Sequence, residues 1–126
     1  MAKKKFSDEE LKRLREVPLL KALEALELHY QHDPGYKPRK SQESMRVIVS
    51  VNDLVYTLQI TGMRWYDMYS KEGGGGAIDL TMHLMQCEFL QAAKLLQKSL
   101  RLREMERQKL EVMREEACRI LRTLSM

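Results

Sequence analysis

Apolar residues recur along this chain with two different periods, and the changes of period mark out its elements. The N-terminal part has helical spacing. Ser7 and Glu10 form a capping box, and Phe6 with Leu11 has the spacing of a hydrophobic staple, which predicts a helix from about Asp8. Pro18 breaks that helix and suits the first position of a second one, whose Leu19, Ala22, Leu23 and Leu26 share a face and which ends near Leu28. From His29 to Ser44 the periodicity disappears. Pro34-Gly35 and Pro38 impose turns on a segment that also carries Lys37, Arg39 and Lys40, so a basic loop is expected.

The period then becomes two. Met45, Val47, Val49 and Val51 alternate with Arg46, Ile48 and Ser50, and Leu54, Tyr56, Leu58 and Ile60 alternate with Val55, Thr57 and Gln59. Asn52-Asp53 suits a tight turn between these two strands, and Thr61-Gly62 suits another leading into a third strand, Arg64 to Tyr69. Four consecutive glycines, Gly73 to Gly76, predict a loop, because glycine loses the most backbone entropy on ordering. Helical spacing returns over Ala77 to Met85, with Ile78, Met82 and Met85 expected inward. After a break near Cys87-Glu88 it resumes with Phe89, Ala92, Ala93 and Leu96.

The last segment is helical and charged. Leu110, Met113, Ala117, Ile120 and Leu124 form an a/d seam of about two heptads, with Arg107–Glu111 and Glu115–Arg119 as i,i+4 pairs. The stretch from Arg101 to Lys109 interrupts the seam upstream. Packing on the domain and self-association both remain open for it.

Composition narrows the class. A chain of 126 residues fits one domain, and 44% apolar with 32% charged residues is a globular balance. Lys and Arg outnumber Asp and Glu by 22 to 18, a mild bias toward polyanions. Cys87 and Cys118 both fall in segments that read as helix and form no disulfide framework, so a reducing cytoplasm is expected. Lys3, Lys4 and Lys5 are followed by no apolar stretch, which argues against a signal peptide or membrane anchor.

Candidate chemistry is sparse. The glycine run is not followed by Gly-Lys-Ser/Thr, as a phosphate loop requires, and Asp79 suits the helix dipole better than catalysis. His83 and Cys87, one turn apart on the expected helix, supply two ligands where a structural zinc site needs four, and His83 reads as a partly buried helix residue. No nucleophile can be paired with a base, so no catalytic residue, metal or cofactor is assigned.

The segment from Trp65 to Leu80, with its aromatic strand, glycine loop and Ala77-Ile78-Asp79, resembles the end of the CHC-type zinc ribbon of DnaG-type bacterial primases. The resemblance covers about Val17 to Leu96. Aligned through Ala77-Ile78-Asp79, Met68 and Lys71 stand where that family has its last two cysteines, so the zinc is not carried over. The resemblance implies a degenerate, metal-free ribbon. An apolar cluster of Val47, Val49, Leu58, Trp65 and Ile78 is expected in the metal's place.

The expected architecture is α+β: a three-stranded antiparallel meander, zinc-ribbon-like, with flanking helices and a long C-terminal helical arm. The expected divisions are residues 1–16 as a short helix with a basic tail, 17–98 as the primase-ribbon-like domain, and 99–126 as a charged amphipathic helix. The resemblance implies a non-enzymatic module that binds DNA, preferentially single-stranded, in replication or mobilisation of a plasmid, phage or other mobile element. Lys37, Arg39, Lys40, Arg46, Arg64, Trp65, Tyr69 and Lys71 are the candidate contacts, cations for phosphates and rings for bases. For Trp65 a core position and an exposed stacking position weigh equally. The alternative is an interaction subunit that docks on a larger replication or DNA-processing protein, or on its own copy, through Leu110, Met113, Ala117, Ile120 and Leu124.

Overall fold

A computed structural model of the chain describes residues 6–37 and 44–124. Helix α1 (Asp8–Arg15) begins where the capping box places it, with the Ser7 hydroxyl accepting from the Glu10 amide at 3.1 Å. Helix α2 (Leu19–Ala25) follows with Pro18 as its cap, one position earlier than expected. Glu27, at φ 59°, and a 3.0 Å bond from the Leu28 amide to the Leu23 carbonyl close its end.

The sheet has five strands where three were expected: β1 (His29–His32), β2 (Ser44–Val51), β3 (Leu54–Thr61), β4 (Arg64–Asp67) and β5 (Gly73–Gly75). They run in the order β1-β2-β3-β4-β5, every neighbour antiparallel. The two additions lie at the edges and correct the sequence reading. Strand β1 occupies the start of the expected basic loop, its His29 to His32 pairing with Ser50 to Val47. The glycine run, expected as a loop, supplies β5, where Gly73, Gly74 and Gly75 pair with Tyr66, Trp65 and Arg64. Backbone pairing asks nothing of a side chain, so a partner strand of fixed register can order glycines that have no strand propensity of their own.

Helix α3 (Ala77–Met85) and helix α4 (Phe89–Leu124) complete the chain. All four helices contribute to a core on one side of the sheet. Val47, Val49, Leu58, Trp65 and Ile78, the expected apolar cluster, are each 5% exposed or less and belong to that core. On α3 the inward face is Ile78, Leu80, Thr81 and Leu84, whereas Met82 and Met85 are half-buried at its margin. Gln86 is left-handed at φ 52° and stops α3, so Cys87 lies in the link to α4 and not on the helix of His83.

Helix α4 is continuous, but its surroundings change along its length. Ala92, Ala93 and Leu96 are buried, whereas every residue from Arg101 to Leu124 is exposed. Packing of the seam back onto the domain, left open by the sequence, does not occur. Arg107 closes on Glu104 at 2.7 Å, not on Glu111 as expected. Among the described residues no helix is long and apolar enough to cross a membrane.

Gly74 sets how closely α3 approaches the sheet. A Cβ there would overlap the Asp79 carboxylate, which accepts from the Gly75 amide at 3.0 Å, and would crowd the Trp65 ring at 2.9 Å. At Gly75 the nearest atom to an added Cβ is 3.8 Å away. Gly74→Ala is therefore expected to lower stability by roughly 1 to 3 kcal/mol, with Gly75→Ala clearly milder, in urea melts followed by Trp65 fluorescence. Trp65→Ala is expected to cost about 3 to 5 kcal/mol in urea melts followed by circular dichroism.

Candidate nucleic-acid interface

Alternation along the strands gives the sheet two unlike faces. Val47, Val49, Val51, Leu58, Ile60, Trp65 and Asp67 are buried toward the helices. The opposite face is made of Ser44, Arg46, Ile48 and Ser50 on β2, Val55, Thr57, Gln59 and Thr61 on β3, and Arg64 and Tyr66 on β4. At its edges are His29 and Gln31 of β1 and Gly73 and Gly75 of β5. These strand positions carry two arginines and no carboxylate.

The polar groups of this face are set by cross-strand pairing. Arg46 is opposite Gln59, and Gln59 is opposite Tyr66, so a cation, an amide and a phenol form one row across three strands. Thr61, flanked by Ser44 and Arg64, forms the next row, with the Ser44 and Thr61 hydroxyls 2.8 Å apart. The guanidinium of Arg46 stacks on the Tyr36 ring, 4.6 Å from its centroid. Its Nε is enclosed and has no hydrogen-bond partner among the described residues. Gln59, Thr61, Arg64, Tyr66 and Gly74 line a shallow open depression that reaches the edge of Trp65. Tyr66 is 41% exposed there, and its ring leans against the backbone of its β5 neighbour Gly73, where an added Cβ would lie 3.1 Å from it.

The expected contacts divide. Arg46 and Arg64 lie on the open face, and Lys37 is exposed directly after Tyr36. Trp65 does not belong with them: at 5% exposure it points into the core, and the ring on the open face is its neighbour Tyr66. Tyr69, 92% exposed, and Lys71, at φ 63°, stand in the link between β4 and β5, at the rim and off the face. Arg39 and Lys40 lie outside the described residues. The sequence reading did not single out Tyr36, Gln59 or Tyr66. For Gln59 and Tyr66 the signal lay in the tight turn after Thr61, which fixes Ile60 opposite Trp65 and hence Gln59 opposite Tyr66.

Beneath the sheet, at the other side of β4, sits a polar cluster that sequence spacing did not reveal. His83 Nε2–H donates to Asp67 Oδ2 at 2.7 Å, and its Nδ1 lies 3.4 Å from Glu72. The imidazole packs on Trp65, with ring centroids 4.6 Å apart, and edge-on to Tyr56 at 5.8 Å. Asp67 Oδ1 also accepts from the amides of Tyr69, at 2.9 Å, and Ser70, at 3.2 Å. Burial, the largest single influence, raises the Asp67 carboxyl pKa. The bonds from His83 and the two amides together outweigh it and hold the group below its ordinary value.

Nε2 of His83 is committed to Asp67, and Nδ1 faces the exposed Glu72 carboxylate. The cluster pins β4 and the turn after it to α3. It also bears on the zinc that a primase-type ribbon would hold. The two ligand positions that can be placed carry the Met68 thioether and the Lys71 ammonium, and no group of three His, Cys, Asp or Glu among the described residues could hold a metal. The residues present do not fit zinc.

A carboxyl whose folded pKa is depressed stabilises the fold above its unfolded pKa of about 3.9, and that stabilisation is lost as pH falls through the folded value. Asp67→Asn is expected to cost roughly 1.5 to 3 kcal/mol at neutral pH, and to remove part of the wild-type decline in stability below about pH 4, in urea melts across pH. No family model, curated protein or solved structure matches this chain.

Proposed function

We propose that this protein is a non-enzymatic nucleic-acid-binding module that takes single-stranded DNA across its open sheet face. The observation that carries the reading is the surface itself. Arg46 and Arg64, with Tyr66 between their rows, sit on strands whose outward positions include no carboxylate. A single strand needs cations that follow its phosphates and flat rings on which its bases stack, and these residues supply both. Its bases are unpaired and can lie flat on a sheet, whereas the edges of a duplex are hidden in grooves.

The resemblance of the segment from Trp65 to Leu80 to the primase zinc ribbon supports the same reading. It suggests a metal-free relative acting in replication or mobilisation of a plasmid, phage or other mobile element. The exposure of α4 beyond Arg101 favours, in addition, a protein partner on the arm.

Fluorescence anisotropy with a labelled single-stranded oligonucleotide across a salt series tests this. Arg46→Gln and Arg64→Gln should each weaken binding and flatten the salt dependence by about 0.7 in the logarithmic slope for each phosphate no longer neutralised. Tyr66→Ala should cost about 1 to 3 kcal/mol, a roughly 5- to 150-fold loss of affinity, whereas Trp65→Phe should leave affinity unchanged because that ring faces inward. Absence of binding at low salt, or binding indifferent to Arg46, Arg64 and Tyr66, would overturn the reading.

A further inference from the structure

The arm of α4 presents an apolar seam that nothing in the described chain covers. Leu110, Met113, Ile120 and Leu124 are 55% to 74% exposed, and Ala117 lies exposed between them. From Arg101 to Leu124 the arm is about 36 Å long at 1.5 Å per residue. Where it leaves the domain, its flank and α2 bound a groove of about 760 Å³, lined by the apolar Val17, Leu100 and Leu110 and by charged side chains of both helices, among them Lys21, Glu24 and Arg103. Seam and groove share a character: an isolated amphipathic helix lacks a partner, and a groove with apolar residues between charged ones lies at that helix's own base.

We propose that the occupant of both is a second copy of this chain, its arm running antiparallel to the first. Seating Leu110 against the partner's Met113 in that direction brings Ala117 opposite Glu106, Ile120 opposite Arg103, and Leu124 opposite Ser99. The tip of each arm then reaches the groove at the base of the other, and the contact is two-fold and closed. Arg103 suits this position. Its guanidinium is held away by Glu24, donating to that residue's carbonyl at 3.2 Å, so its stem lies beside the groove as apolar surface.

Charge selects the direction. Antiparallel pairing sets Lys109 against the partner's Glu116, twice by symmetry. The like-charge meeting it creates, Arg107 with the partner's Arg114, is offset by Glu104, 2.7 Å from Arg107. Parallel pairing would instead oppose Arg103 to Arg103 and Glu106 to Glu106 in the seam and bring Lys109 against Arg114. Partial seams of two heptads gain little alone, and the groove supplies the additional apolar contact. The dimer leaves the open face of the sheet untouched, so it is independent of DNA binding.

Sedimentation equilibrium on the full chain, at concentrations up to about 100 μM, should show a reversible dimer that Leu110→Asp with Ile120→Asp converts to monomer. An unchanged near-ultraviolet signal from Trp65 in that double variant would show that the fold is kept. Lys109→Glu should weaken the dimer roughly tenfold, and Lys109→Glu with Glu116→Lys should restore it. Spin labels on Cys118 in a Cys87→Ser chain should lie about 20 Å apart along the antiparallel pair, against about 10 Å in a parallel one. A monomer throughout, a dimer that survives the two aspartates, or labels at the shorter distance would each overturn the proposal.

Discussion

The fold depends on one close approach, that of α3 to the edge of the sheet at Gly74. There the Asp79 carboxylate, the Trp65 ring and the backbone of β5 share a space that admits no additional carbon atom. Because α3 can come this near, Ile78 reaches the core and His83 reaches Asp67 across the indole of Trp65. A larger residue at position 74 would separate the layers at the place where apolar packing and the polar cluster meet.

The same approach turns β4 into a divider. Its inward side, Trp65 and Asp67, is committed to α3 by packing and by hydrogen bonds, and its outward side, Arg64 and Tyr66, is left to solvent. A buried carboxylate is tolerable only when its oxygens are satisfied, and Asp67 meets that condition with three donors. Rigid anchoring of the inward side holds the outward residues at fixed positions relative to Arg46 and Gln59.

The arm obeys different physics. Within the domain α4 is held by Ala92, Ala93 and Leu96, small or compact residues that allow the other helices to approach. Beyond Leu100 its tie to the domain is the bond from Arg103 to Glu24, and it is sustained by its own backbone bonds and by side-chain pairs such as Arg107 with Glu104. Leu110, Ile120 and Leu124 stand more than half exposed along this stretch, apolar surface that is costly to hydrate.

Features that depend on neighbours a few residues apart could be read directly from the order of the amino acids. The start of α1 at its capping box, the alternation of β2 and β3, the turn at Asn52 and the helical seam of the arm are all local, and each is legible from spacing alone. So was the membership of Val47, Val49, Leu58 and Ile78 in one core, because each lies on an apolar face. Features that depend on a distant partner emerged only in three dimensions. Gly73 to Gly75 has no strand character until β4 offers it a register, and His29 to His32 becomes a strand only because β2 lies alongside. Between Trp65 and Tyr66 the sequence offers two aromatic rings on opposite faces, and only the pairing of Ile60 with Trp65 settles which one is buried. Asp67 and His83 are separated by 16 positions on different elements, so no local pattern could join them. Short-range spacing determines the elements that carry a period of their own, and contacts distant in sequence decide the edge strands, the buried ring and the Asp67–His83 bond.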